Sequence, residues 1–167
     1  IPAILTFAVV PFGGQYELWG TNVNLVISDL DVGLLFVFAI ASIATYGYVI
    51  AGWASNNNWS LLGSMRTASQ MISYEVTMGL TIVGVLMVYG SMKLTEIGAA
   101  QEDFLSWGFF MQPLGFFMFL AASIAENKRI PFDAPEAESE LVAGYFTEYS
   151  GLKFGMFFMA EFIEMVT

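Results

Sequence analysis

The chain contains no cysteine and no histidine. The first absence excludes disulfides and thiolate-held iron–sulfur clusters, and the two together exclude His-ligated haem and zinc within these residues. Any protein-bound redox centre must then belong to a partner. Any proton relay runs on carboxylates, tyrosines and water, because the side chain that titrates near neutral pH is missing. Charge is scarce as well: 12% of the 167 residues are charged, against about a quarter in a soluble domain. Positive charge is scarcest, with five Lys and Arg against fifteen Asp and Glu and a net charge of −10. That balance disfavours nucleic acid and offers no polybasic patch to anionic lipid heads. Residues 1–12 lack the basic region and small-residue cleavage site of a signal peptide. The chain opens on Ile-Pro and ends inside an apolar run, so it is read as a fragment of a longer chain.

What is abundant is apolar surface: 57% of residues are hydrophobic and the mean hydropathy is +0.67. A spanning helix needs about 20 mostly apolar residues. Residues 32–54 supply such a run without charge, ending in Tyr46, Tyr48 and Trp53, aromatics suited to the water interface. A second run covers 71–92, interrupted only by Glu75. A third covers 104–125, where Gln112-Pro113 means either a kink or the first turn of a shorter helix. Residues 1–12 and 153–167 read as partial spans. The FFM, FFMF and FFM clusters suit lipid-facing or packing surface. The expected fold is an all-α integral membrane protein, a multi-span helical bundle forming one transmembrane domain over 1–167, with a long acidic loop containing a short helix. Alternate loops then lie on opposite sides. Loops 13–31 and 93–103 together hold one basic residue, Lys93, whereas 55–70 and 126–153 hold four, Arg66, Lys128, Arg129 and Lys153. The positive-inside bias puts the second pair on the cytoplasmic or matrix side.

The loop ENKRIPFDAPEAESELVAGYFTEYSG, residues 126–151, gathers six acids: Glu126, Asp133, Glu136, Glu138, Glu140 and Glu148. Only Lys128 and Arg129 oppose them. Ile130 precedes proline and is pushed toward extended backbone. Asp133, with Pro135 and Glu136 behind it, is a helix-start signal. On that helix Glu136 and Glu140 share a face while Glu138 points roughly opposite, so the three cannot all face water if one side packs on the bundle. A solvated acidic loop with a capped helix is the plainer alternative.

Glu75, Glu161 and Glu164 lie inside apolar runs, where an ionisable group costs at least about 2.5–3.5 kcal/mol at mid-helix and marks a functional candidate. Glu161 and Glu164 share one helix face. Crowded, desolvated carboxylates share protons, which is the composition expected of a proton path.

The run RIPFDAPEAESELVAGYFTEYSGLKFGMFFMAEF strongly resembles the signature of one membrane component of respiratory complex I, designated H in bacteria and subunit 1 in mitochondria. GWASNNNWSLLGSMRTASQMISYEV resembles the same family's preceding loop and helix, and the likeness covers essentially the whole chain. It implies a non-redox membrane subunit of a proton-pumping NADH:quinone oxidoreductase, at the junction of the hydrophilic and membrane arms. Such a subunit lines the quinone tunnel and begins a charged path along the membrane arm. Quinone would be shared with neighbouring hydrophilic and membrane subunits, lipid would surround the helices, and no flavin, iron–sulfur cluster, haem or metal is expected in this chain. A bacterial cytoplasmic membrane is favoured over the mitochondrial inner membrane. Carried over by position, Arg66 and Glu75 match the family's loop arginine and intramembrane glutamate. Glu126, Arg129, Asp133, Glu136, Glu138, Glu140, Glu148 and Tyr149 match its acidic quinone-side loop. Glu161 matches the glutamate of the next helix, and Asp29 an earlier aspartate. The acids are expected to relay charge, with Arg66, Arg129, Asp133 and Tyr149 on the quinone side. Ala134 and Phe162 depart from the usual residues, and Glu164 has no counterpart.

Each position also has a plainer use. Arg66 and Arg129 suit pairing with loop carboxylates, Asp133 an N-cap and Tyr149 an interface anchor. The related component of a membrane-bound hydrogenase or formate hydrogenlyase, a stand-alone ion transporter and a docking scaffold are the competing functions. A transporter would need broken helices or inverted repeats, and neither is visible.

Overall fold

The computed structural model describes residues 2–13, 15–18, 21–133 and 144–166. A short helix α1 (Pro2–Thr6) precedes strands β1 (Gln15–Leu18) and β2 (Thr21–Asn24). Two long helices follow, α2 (Gly33–Ala54) and α3 (Asn58–Tyr89), then α4 (Leu94–Ala99). A 3-10 turn at Phe104–Ser106 leads into α5 (Gly108–Met111) and α6 (Pro113–Glu126). A second 3-10 turn, Gly144–Phe146, precedes α7 (Leu152–Val166).

The antiparallel β1–β2 pair, in register Gln15↔Asn24 through Leu18↔Thr21, amends the expectation of an all-α chain. Polar and apolar residues alternate along QYEL, the period of a strand rather than a helix. The flanking backbone ties the hairpin down, with Phe12 N–H donating to Leu25 C=O at 3.0 Å and Ser28 N–H to Ala8 C=O at 2.9 Å.

Helix α2 carries no charge over 22 residues, about 33 Å at helical rise and enough for a hydrocarbon core of about 30 Å. Helix α3 runs 32 residues, about 48 Å, and takes in most of the segment 55–70 that reads as a loop. The reason is local. Asn57 caps the helix, its side chain accepting from Trp59 N–H at 2.9 Å, and no proline interrupts the chain from there to Gly90. Gly90 then ends it in the left-handed region at φ 71°, its N–H donating to Leu86 C=O. Both helices are long and apolar enough to cross a membrane. In the stretch 104–125, Pro113 sits in the first turn of α6, where its missing N–H costs nothing.

Helix α2 pairs with α3 through the short connection at 55–57, α3 packs on α6, and α1 touches both α2 and α7. Burial is inverted relative to a soluble domain. Ser60, Ser64 and Thr67 are fully buried, whereas Leu80 is 70% and Met87 82% exposed. Small polar residues let the helices approach, and apolar ones face outward, as a lipid surround requires. A Cβ at Gly52 would collide with Ser64, and one at Gly63 would lie 2.9 Å from the Gly144 backbone. These two glycines therefore set the distances between α2, α3 and the Gly144–Phe146 turn. The core beneath is Tyr48, Met71, Tyr145 and Phe146, with Phe157 and Phe158 against it.

Candidate functional site

The core holds a salt bridge. Lys128, two residues past α6, has positive φ (54°), a conformation that costs a non-glycine residue about 1–2 kcal/mol. The Lys128 residue is only 4% exposed and Glu161 on α7 6%. Its Nζ lies 2.9 Å from Glu161 Oε1. Tyr145 from the 3-10 turn, fully buried, joins them: Lys128 Nζ donates to Tyr145 Oη at 3.3 Å, and Tyr145 Oη donates to Glu161 Oε1 at 2.7 Å. The ammonium also sits 3.7 Å from the centre of the Tyr48 ring on α2, a favourable cation–π position. Tyr48 in turn donates its hydroxyl to Glu164 Oε2 at 3.3 Å. Four segments distant in sequence thus meet at one point. Taking two charges out of water costs several kcal/mol each, and such a pair persists only with good geometry and further hydrogen bonds. Both conditions are met here.

Glu164 and Glu126 line a cavity of about 370 Å³ whose other walls include Phe38, Met71, Met78 and Phe119. A more open groove of about 410 Å³ runs between α1, α2 and α7, from Tyr149 and Lys153 down to Tyr48 and Glu164. Glu75 stands on the α2–α3 seam, half-buried, accepting from Ser42 Oγ and lining a lateral hollow that shares Phe38 and Ile82 with the cavity of Glu126 and Glu164.

The loop residues divide. Gln70 on α3 fastens the start of the loop, its Nε2 donating to Ala125 C=O and Phe132 C=O, each at 2.7 Å. Tyr149 donates to Ala51 C=O at 2.8 Å, and Glu148 accepts from Asn57 Nδ2 at 2.6 Å. Arg129 stacks over the Phe162 ring at 5.3 Å, and its Nη2 is buried without a hydrogen-bond partner among the described residues. Arg66 lies exposed on α3 and Asp133 is exposed. Glu136, Glu138 and Glu140, and the short helix expected to carry them, lie outside the described residues. At the far end of the bundle Lys93 bridges Asp31 (2.8 Å) and Asp29 (3.8 Å), and Asp29 accepts from Thr95 Oγ1 at 3.0 Å.

Of the acids named from sequence, the geometry brings Glu161 into the cluster and Glu126 beside it, sets Glu75 in the adjoining hollow, and keeps Glu148 away, bonded to Asn57. Sequence reasoning missed Lys128, Tyr48 and Tyr145. Spacing gives no signal for them, because Lys128 and Glu161 are joined only by tertiary packing. The one available hint was a lysine set against a surplus of acids beside an apolar run.

Two helices long and apolar enough to cross a membrane, with apolar side chains facing outward and a paired charge between the packed segments, are compatible with a helical membrane protein. The comparisons with known proteins narrow this. A family model described as NADH dehydrogenase matches residues 1–167, and the chain belongs to that family. It is 55% identical over 166 residues to the first of the H-type NADH-quinone oxidoreductase subunits of Geobacter metallireducens, covering 99% of this chain and 50% of the relative. It is 53% identical to the second H-type subunit of the same enzyme from Geobacter sulfurreducens and 51% identical to the H-type subunit from Syntrophotalea carbinolica, with the same coverage of both chains. The chain spans about half the length of these curated relatives.

Proposed function

We propose that this chain is the part of an NADH:quinone oxidoreductase membrane subunit that lines a quinone-accessible groove and passes charge from it into the membrane. It contributes five apolar segments to a bacterial cytoplasmic membrane protein, with the 126–151 loop on the cytoplasmic side. Its partners are the other subunits of that assembly, which hold the redox centres. The relatives' names, all NADH-quinone oxidoreductase subunits, support this over the hydrogenase reading.

The observation that carries the proposal is the buried Lys128–Tyr145–Glu161 triad. One ammonium balances one carboxylate, and Glu164 and Glu126 stand within the same interior. Each proton gained or lost by these carboxylates therefore changes the charge of a desolvated site, where a charge acts at long range. Tyrosine hydroxyls, which both donate and accept, supply the links between them. The groove suits quinone as substrate: its walls are apolar, and Lys153 at its rim can donate to a carbonyl oxygen. Glu75, on the α2–α3 seam, then belongs to a later point of the charge path, toward a neighbouring membrane subunit.

Glu161→Gln in the intact assembly tests this. It keeps the side chain's size and removes the titratable proton. The assembly is expected to form and to oxidise NADH with an artificial acceptor, while quinone-linked turnover falls sharply. Full quinone-linked turnover would refute the proposal.

A further inference from the structure

Glu164 borders both hollows: the open groove between α1, α2 and α7, and the more enclosed cavity that also holds Glu126. It stands one helical turn from Glu161 on the same face of α7. Its Oε2 accepts from Tyr48 Oη at 3.3 Å, and the ring of that tyrosine carries the Lys128 ammonium 3.7 Å from its centre. Tyr48 and Tyr145 meet edge to face, with ring centres 5.1 Å apart. A carboxylate placed between a groove and a buried charge pair, and linked to that pair through one tyrosine's hydroxyl and ring face, is positioned to make each proton it binds felt by the pair.

Resting on the function proposed above, we infer that Glu164, held by the Tyr48 hydroxyl, is the carboxylate that exchanges protons with the groove and so sets the charge beside the Lys128–Glu161 pair. The carboxylate takes one proton from a donor in the groove and later releases one to it, and the buried charge rises or falls by one. Only O–H bonds form and break, so the step needs no oxidant or reductant. Among the described residues, the titratable groups around Glu164 are Tyr48 on α2, Glu126 at the end of α6, Lys128 beyond it, and Glu161 on α7. Lys153 and Tyr149 stand at the other end of the groove. Within this set Glu164 is the carboxylate that faces both spaces.

The test uses the intact assembly in membranes, with quinone-linked NADH oxidation followed against pH. In Glu164→Gln, turnover is expected to fall severalfold at alkaline pH, where protons are scarce, and to approach the parent at acid pH. Tyr48→Phe keeps the ring under Lys128 and removes only the hydroxyl, so it should give the same pH-dependent loss. The double variant should be no worse than either single one, and Glu164→Asp should recover part of the rate. Parent-like turnover at every pH, or an equal loss at every pH, would overturn the inference. Should Glu164→Gln not assemble, Tyr48→Phe decides by the same criteria. Glu161→Gln separates the two claims. Its impairment alongside a parent-like Glu164→Gln removes only this inference, whereas full activity in Glu161→Gln removes the proposed function.

Discussion

Lys128 is held in an interior it would ordinarily avoid, and removing its charge should expose how strongly the site depends on balance. Lys128→Met leaves Glu161 buried without its cation, a change that costs about 3–5 kcal/mol in comparable settings. Replacing both, as Lys128→Met with Glu161→Met, is expected to be clearly less destabilising than the sum of the two single changes, since an apolar pair needs no compensation. Thermal inactivation of the purified assembly measures this, and additive losses would show that the two residues are not coupled. The Lys93 bridge is of another kind. Asp31, hydrogen-bonded to it, pushes the ammonium's pKa up, with Asp29 adding to the effect. A raised pKa stabilises the fold at neutral pH and loses that contribution only as pH rises through the raised value. Because the bridge lies at the surface, with the Asp31 side chain largely exposed, that contribution is small, and Lys93→Gln is expected to leave neutral-pH activity intact, which a turnover assay checks.

At the scale of elements, two glycines on one helix make a contrast. Gly63→Ala would drive a methyl group toward the Gly144 backbone, where a Cβ has only 2.9 Å, and would displace the turn that carries Tyr145. Gly79 has open space around it, so Gly79→Ala should be neutral, or stabilising by up to about 1 kcal/mol from helix propensity. Comparable heat stability of the two variants would contradict the packing described. The elements also differ in how far sequence conveys them. The uncharged run at 32–54 could be read directly, because a length of apolar chain needs no tertiary information. The start of α3 was lost because Ser60, Ser64, Thr67 and Arg66 look like loop polarity. Three of them are buried small residues in a helix contact, and polarity alone does not distinguish a helix seam from a loop. Glu161 was visible as a carboxylate in an apolar run, but its partner was not, since Lys128 arrives through a left-handed turn and a loop docked by Gln70.

For the molecule as a whole, the two ends of the α2–α3 pair are chemically distinct. One end joins Asn57 to Glu148 and Ala51 to Tyr149, and the other gathers Lys93, Asp29, Asp31 and Thr95. Because the chain has no cysteine of its own, Ser150→Cys and Ala99→Cys are clean probes. An impermeant thiol reagent should reach them from opposite faces of sealed membranes, with Ser150 on the cytoplasmic face. Labelling of both from one face would contradict the orientation and move the acidic loop away from its proposed partners. If the proposed function holds, the buried carboxylate of Glu161 changes its protonation as quinone is reduced. Infrared difference spectra of the intact assembly, recorded between oxidised and reduced quinone, address this most directly. The expected result is a protonated-carboxyl band that changes with the redox state and is lost in Glu161→Gln. A band of unchanged intensity in that variant would contradict the account.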